Sequence, residues 1–395
     1  MDRFGEKVLC NPTVKLTKGT KYPLIDIDKI IPGYKWVTNQ ELVEYSGQSG
    51  AKFEDGDILF ARITPCLENG KMAIAKTDGQ KGIGSTELFV FRGIDNMSVT
   101  DYVYYLLCMK HMRQLAANSM TGASGRQRAD LTFIKRIKWQ FPSVQAQNRI
   151  VSVLSVYDSL IENNNKRIKV LEQLAENLYK EWFVRFRFLG YENAEFENGI
   201  PKGWLRGKIE AYYDTTSGGT PSRNNEEFYI NGIIPWVKTG EIKDSIILDT
   251  EEHITEFAIN KSSAKILPKG CVIMAMYGVN IGMLSYLSKE MSCNQACCAF
   301  TDKRNLSSRH YLFHYMKSIR DYLLLIGFGA AQQNLSQDLI KRIRITMPSD
   351  EIVKLFEKRI NDYYNQIYNL LKQNRNLIKQ RDLLLPRLMS GKLEV

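Results

Sequence analysis

The sequence lacks the short signatures that mark most catalytic chains. It has no GxxxxGK followed by Ser or Thr, so no P-loop, and no GxGxxG follows a strand; "GIGST" (82–86) lacks the third glycine. "NPTV" (11–14) lacks the second proline and the aromatic of an adenine-methyltransferase loop, and no Ser-His-Asp or Cys-His arrangement is suggested. Histidine is scarce at four residues. His310 and His314 stand i,i+4 in "HYLFH", but without the glutamate of HExxH they read as a helix-surface pair. The seven cysteines are odd in number and without framework spacing, which suits a reducing compartment. "CNQACC" (293–298) has no histidine or second CxxC nearby, so its thiols read as buried strand residues, and no metal ligands are assigned. No apolar run is long enough to span a bilayer. The longest, 271–287, is broken by Gly278, Asn280 and Gly282, and the N-terminus has no export-type apolar region; the expectation is a cytoplasmic protein. One fragment of catalytic shape remains. "EIK" (241–243) has the ExK form of metal-dependent nucleases, which keeps a nuclease using Glu241 and Lys243 as an alternative.

What is present is basic charge and repetition. The formal charge of +11 favours an acidic partner, nucleic acid first, against the plainer reading of a basic but uninvolved surface. The 395 residues suffice for two or three domains. "FIKRIKWQFPS" (133–143) returns 206 positions later as "LIKRIRITMPS" (339–349). Upstream, "GDILFARITPCLENGKMAIA" (56–75) matches "GCVIMAMYGVNIGMLSYL" (270–287), each an apolar run, a turn and a second apolar run, hence a β-hairpin. "GSTELFVFR" (84–92) matches "CNQACCAFTD" (293–302) as a polar turn opening an apolar strand, and a helical stretch follows each. The repeated phrase itself alternates, with Ile137, Trp139 and Phe141, or Ile343, Ile345 and Met347, on one side and basic residues on the other. It predicts a half-buried strand stopped by Pro142 or Pro348, with Ser143 or Ser349 starting a helix.

Those helices run from about 144 to 186 and from about 350 to 389, with apolar residues at gaps of three and four. The first stripe includes Leu160, Ile161, Ile168, Leu171, Leu178 and Trp182; the second includes Ile360, Ile367, Leu371, Leu384 and Leu388. Helices of roughly 60 Å cannot hide such stripes in one compact domain, and the simplest partner for each is the other, as a coiled coil. If the copies are related by a pseudo-twofold axis, the helices run antiparallel with a globular unit at each end. Asn164 and Asn374 interrupt the stripes, either as solvated positions or as buried polar residues that fix register. "YENAEFENG" (191–199) is the linker between copies. The boundaries are 1–142 for the first globular domain, 143–188 for the first helix, 189–348 for the second domain and 349–395 for the second helix.

The two domains share a frame but present different surfaces. "SGGTPSRNNEEFYINGIIPWVKTGEI" (217–242) has no clear counterpart in the first, which carries "ARITPCLENGK" (61–71) instead. Two unlike heads at fixed separation fit an asymmetric, two-part DNA site; the other alternative, besides the nuclease, is a non-catalytic coiled-coil adapter that binds proteins only. The chain resembles the specificity (S) subunits of type I restriction–modification enzymes, essentially end to end. The resemblance rests on "GDILFARITPCLENGK" and "GSTELFVFR" in the first domain and on "SGGTPS", "GIIPWVKTGEI", "SSAKILPKG" and Asn294-Gln295 in the second. It also rests on "YKEWFVRF" (179–186) and "RDLLLPRLMSGKLEV" (381–395). The first domain departs from the pattern in lacking the GGTPS opening.

The resemblance implies an α+β fold: two β-rich target-recognition domains, each with a small helical part, separated by two antiparallel spacer helices. It implies no catalytic site and no cofactor in this chain. Two methyltransferase (M) subunits would dock on the spacer and carry S-adenosylmethionine and adenine-N6 methylation; restriction (R) subunits would add ATP- and Mg-dependent translocation and cleavage. Basic residues would neutralise phosphate, and polar side chains on loops would read base edges. In the first domain the candidates are Arg62, Thr64, Asn69, Lys71, Arg126, Gln127 and Arg128. In the second they are Thr220, Ser222, Arg223, Asn224, Lys238, Tyr277, Asn294, Gln295, Gln332, Gln333 and Asn334, while Gly218, Gly219 and Pro221 shape a turn.

Overall fold

The computed structural model describes every residue except 39, 40, 124, 125, 305, 307, 328–333 and 395. It divides into two compact units, residues 1–166 with 373–395 and residues 167–372.

In the first unit a five-stranded sheet has the spatial order Val8–Cys10, Leu88–Gly93, Ile58–Ala61, Met72–Ala75, Trp36–Val37. The expected hairpin is its centre: Ile58–Ala61 and Met72–Ala75 pair antiparallel, with Leu59 opposite Ala73. Every residue of both strands is buried, because both faces of the sheet are covered. Ile58, Phe60, Ile74, Phe89 and Phe91 pack with Phe4 and the helix Thr100–Cys108 on one side. Leu59, Ala61, Ala73, Leu88 and Val90 pack with Ile25, Ile30 and Phe53 on the other. Two-sided burial explains why these strands read as continuous apolar runs and not as alternation. The second covering layer is a small sheet in the order Leu42–Glu44, Lys21–Ile25, Gly82–Gly84, Ala51–Phe53.

The second unit repeats the central sheet strand for strand and covers it with a smaller sheet of three strands. Its central sheet runs Tyr213–Ser217, Cys297–Asp302, Val272–Ala275, Leu284–Leu287, Ser245–Ile247, and in both units the last strand pairs parallel with its neighbour. One face packs Val272, Met274, Tyr286 and Phe300 with Tyr311 and Phe313 of the helix Arg309–Ser318. The other packs Ile273, Ala275, Leu287 and Ala299 with Val237 and Ile242. The segment 217–242, which has no sequence counterpart, does have a structural one. Ile234–Val237 lies antiparallel to His253–Ile254 and parallel to Ser292–Cys293, as Lys21–Ile25 lies between Leu42–Glu44 and Gly82–Gly84. A single 3-10 turn follows in each, Thr239–Glu241 and Ile27–Lys29. The pairings kept the place while the side chains diverged.

The repeated phrase is only partly the expected strand. Its first half ends a short helix, Leu131–Arg136 or Gln337–Arg342. Asp130 accepts from Thr132 N at 2.7 Å and Ser336 from Leu339 N at 3.1 Å, so each helix is capped, and Lys-Arg in the last turn suits the helix dipole. The strand is Lys138–Trp139 or Arg344–Met347. There the alternation holds: Ile343, Ile345 and Met347 are buried while Arg342 and Arg344 face out. Each strand closes its unit by pairing with the strand that opens it, Asp2 opposite Trp139 and Leu205 opposite Met347.

Both spacer helices are present, Val144–Tyr179 (continued by a π-helical turn, Lys180–Val184) and Asp350–Met389. Ser143 Oγ accepts from Ala146 N at 3.3 Å at the start of the first. They pack as a narrow seam. In the first unit Asp158 meets Arg381 at 2.5 Å and Asn164 meets Asn374 at 2.9 Å, an antiparallel progression. In the second, Trp182 and Phe183 lie 5.8 and 4.7 Å from Phe356. Asn164 and Asn374 are therefore buried register residues, and Asn374 also donates to Asn165 at 2.8 Å. Leu160 corrects the expected stripe: it is 45% exposed and lies outside the seam, where Ile161 is 2% exposed. The i,i+3/i+4 gaps marked a face wider than a coiled coil uses. His310 and His314 are no surface pair either. Both are buried, His310 Nδ1 at 2.7 Å from Glu357 and His314 Nε2 at 3.0 Å from the Tyr364 hydroxyl. Cys271, Cys293, Cys297 and Cys298 are buried free thiols. Residues 196–201 of the expected linker region form a small hairpin, Phe196–Glu197 with Ile200–Pro201.

Candidate nucleic-acid interface

In the second unit three segments meet beside the central sheet. The "SGGTPS" segment follows the strand Tyr213–Ser217. Gly219 N donates to Cys293 O at 2.9 Å and Trp236 Nε1 donates to Gly219 O at 3.0 Å. A Cβ on Gly218 would sit 2.0 Å from Cys293 O, and one on Gly219 2.4 Å from Ala264 N. Backbone approach, not an unusual φ, demands both glycines. This fixes Thr220 against Gln295, whose side-chain oxygen accepts from the threonine hydroxyl, and Tyr277 donates to Gln295 O at 3.3 Å. Thr220, Tyr277 and Gln295 thus form one polar group. Asn294 supports it: its Oδ1 accepts from Ala296 N at 3.1 Å, and its own N donates to Val237 O at 3.0 Å.

Next to it lies a charged group. Arg223 and Lys238 converge on Glu252 at 2.6 and 2.7 Å, and Lys238 also reaches Glu251 at 3.1 Å. Arg223 stacks over Tyr229 and Trp236, at 4.5 and 5.2 Å from the ring centres. Hydrogen bonds from Arg223 and Lys238 hold the Glu252 carboxyl below its ordinary pKa. Both cations are thus already matched by carboxylates, and a phosphate at this place would have to compete with Glu252. Ser222 and Asn224 are exposed in the adjoining turn. Asn334 is exposed, and Leu335 N donates to Met276 O at 2.8 Å, which brings it beside the 276–283 loop. Gln332 and Gln333 lie outside the described residues.

The first unit uses the same backbone frame. Arg62 N donates to Glu87 O and Ala129 N to Arg62 O, at 2.9 and 2.8 Å; Met276 N to Ala296 O and Leu335 N to Met276 O, both 2.8 Å, are the equivalents. The side chains differ. Arg128 Nε lies 2.8 Å from Glu87, and this pair holds the Glu87 carboxyl below its ordinary pKa. Thr64 N donates to Gln127 O at 3.0 Å, so Arg62, Thr64, Gln127 and Arg128 come together, with Arg126 exposed beside them. Lys71 does not join them: its ammonium donates to Ile27 O at 2.8 Å and ties down the Ile27–Lys29 turn. Asn69 is exposed in the turn after Pro65.

Sequence reasoning missed a second basic group in this unit. Lys52 lies 4.9 Å over the Tyr45 ring, and Lys81 Nζ donates to Lys15 O at 3.2 Å. Lys15, Lys18 and Lys21 are exposed, and among the described residues they form no ion pair. Lys52 and Arg62 both line a groove of about 410 Å³ with Asn11, Thr13 and Thr86, and Arg62 Nε is buried there without a hydrogen-bond partner. The signal was available: "VKLTKGTKY" (14–22) places three lysines at intervals of three beside a tyrosine.

Of the ExK fragment, the glutamate carboxylate is engaged in structure. Glu241 accepts from Lys238 N and from Glu251 N, both at 2.9 Å, one bond to each carboxylate oxygen. Among the described residues no group of three His, Cys, Asp or Glu side chains is placed to hold a metal ion. No helix among them is long and apolar enough to cross a membrane.

The family described as the type I restriction modification DNA specificity domain matches residues 8–173 and again 201–380. This chain belongs to that family, with one copy of the domain in each repeat. It is 27% identical to the MjaIX specificity subunit of Methanocaldococcus jannaschii, over 87% of this chain and 79% of that one. It is 23% identical to the HindI specificity subunit of Haemophilus influenzae, over 88% of each. Among solved structures, the type I restriction–modification S subunit from M. genitalium aligns over 96% of this chain and 95% of its own at 14% identity, TM-score 0.47. The HsdS subunit from Thermoanaerobacter tengcongensis aligns over 99% and 96% at 17% identity, TM-score 0.40.

Proposed function

We propose that this chain is the sequence-reading subunit of a type I restriction–modification complex. It would bind an asymmetric site in double-stranded DNA through two unlike heads and direct partner subunits to it. The observation that carries this reading is one strand order built twice, with different side chains on equivalent loops. Thr220, Tyr277 and Gln295 are the reading group of the second head; Arg62, Thr64, Gln127 and Arg128, with the lysine group, serve the first. Glutamine suits adenine and arginine suits guanine in the major groove.

The catalytic work falls to partners in the cytoplasm. Two M subunits with S-adenosylmethionine would methylate adenine N6, and R subunits with ATP and Mg would translocate and cleave. Outward apolar residues on the first spacer helix support M-subunit docking there, Val156 with Leu160 and Val170 with Leu174, all more than 40% exposed.

Mapping methylated adenines in host DNA tests the reading. The expected motif has two parts and a fixed gap, and replacing residues 1–142 with those of a relative should change one part only. A motif in which both parts or neither changes refutes the assignment. Inserting four residues in both helices adds about 6 Å, roughly two base pairs of gap. An unchanged gap would count against the spacer as a ruler.

A further inference from the structure

The two helices make the same kind of seam twice, and each time the chain selects between two similar segments. The 206-residue shift carries 144–166 onto 350–372 and 167–189 onto 373–395. Burial follows the shift: Leu154 and Ile360, Ile161 and Ile367, Ile168 and Asn374, Ala175 and Arg381, and Trp182 and Leu388 are all buried. In the first unit 144–166 packs against 373–395, and in the second 350–372 shares a core with 167–189. Segment 167–189 thus has the spacing needed to enter the first unit's seam. Within one chain it cannot, because it continues the same helix. In a second copy it is free to do so, which would join two copies through their first helices.

Two positions tell the segments apart. Asp158 is 2% exposed and bonds Arg381 at 2.5 Å, and that guanidinium also donates to Gly33 O at 3.0 Å. Asn164 bonds Asn374 at 2.9 Å. By the shift, segment 167–189 would offer Ala175 in place of Arg381 and Ile168 in place of Asn374. The second unit has no need of these pairs: its equivalents of Asp158 and Asn164 are Tyr364 and Leu370, which lie in one apolar core with Ala175 and Ile168. A wrong pairing in the first unit therefore leaves a buried carboxylate without its cation and a buried amide without its partner. Both are strongly unfavourable.

We propose that the Asp158–Arg381 and Asn164–Asn374 pairs are recognition keys that refuse the first helix of a second copy and so keep two copies from pairing through it. Polar pairs at otherwise apolar seam positions are known to choose among coiled-coil partners at some expense of stability. The inference concerns assembly of the chain and is independent of its DNA reading.

The test uses two differently tagged full-length copies, unfolded in guanidinium, mixed and refolded by dilution. Capture on one tag reports the other. The variant Asp158→Leu, Asn164→Leu, Asn374→Ile, Arg381→Ala gives the first seam an apolar character like the second's. It is expected to raise co-capture about tenfold over wild type, since both polar keys are then gone. Co-capture equal to wild type's, or wild type already at the variant's level, overturns the proposal. If that variant fails to fold, Asn164→Leu with Asn374→Ile keeps the ion pair. An increase of about threefold is then expected, and no increase overturns the proposal equally.

Discussion

The buried histidine at position 314 makes the second unit sensitive to acid by an amount that can be worked out. Burial among Tyr179, Phe313 and Tyr364 holds its imidazole neutral, with the pKa pushed down to about 3. In the unfolded chain the value returns to about 6.5. Below that pH the unfolded state binds the proton first, so stability falls as pH drops from 6.5 toward 3 and is fully retained above 6.5. Linkage gives a loss of about 1 kcal/mol between pH 7.5 and 5.5, growing to about 3 kcal/mol at pH 4.5. His310 is shifted in the same direction by burial, which adds to the effect. His314→Gln keeps an acceptor for the Tyr364 hydroxyl but never takes up charge. Urea unfolding at pH 7.5 and 5.5 should show the variant losing about 1 kcal/mol less than wild type over that interval. Carboxylates elsewhere contribute equally to both proteins and cancel. An identical pH dependence in variant and wild type would refute the argument, since it would mean the imidazole is charged or hydrated in the folded protein.

Two further outcomes follow from the seam and from the lysine group. Ile161→Lys places an unpaired ammonium in the first seam and should cost about 3–5 kcal/mol, whereas Leu160→Lys one residue away should stay within about 0.5 kcal/mol of wild type. Equal losses in urea unfolding would show that the seam is misassigned. Replacing Lys15, Lys18 and Lys52 by alanine should flatten the salt dependence of DNA affinity by about 0.9 for each phosphate no longer neutralised, and leave the methylated motif unchanged. An unaltered slope in titrations at several salt concentrations would remove these residues from the interface.

The parts legible in the sequence were those with a strong period. The hairpins announced themselves as apolar runs because both faces of each central sheet are covered, and the spacer helices because gaps of three and four persist over forty residues. The same signal misplaced Leu160, since hydropathy spacing gives a face and only packing selects the seam within it. The covering sheets were opaque: strands such as Leu42–Glu44 and Gly82–Gly84 are three residues long, too short for any period. Candidate DNA-binding residues on loops separated for a related reason. Asn294 and Lys71 have the chemistry to bind a base and a phosphate, yet the first caps a turn and the second anchors one. A single chain records side-chain types, while partner geometry decides which of them remain available.

The pairing of each unit's opening and closing strands has a genetic consequence. Asp2 lies opposite Trp139 and Leu205 opposite Met347, so the chain enters and leaves each head on neighbouring strands, about 4.8 Å apart. A head is therefore a cassette with both splice points at one place, next to the start of its helix. Recombination at those points exchanges everything between them and keeps both helix segments of the seam, so an incoming head has only to resupply the contacts that Gly33 O makes to Arg381 and the Tyr105 hydroxyl makes to Asp158. New target sequences can then arise by transplanting whole heads, with no need for gradual change through intermediates that read nothing.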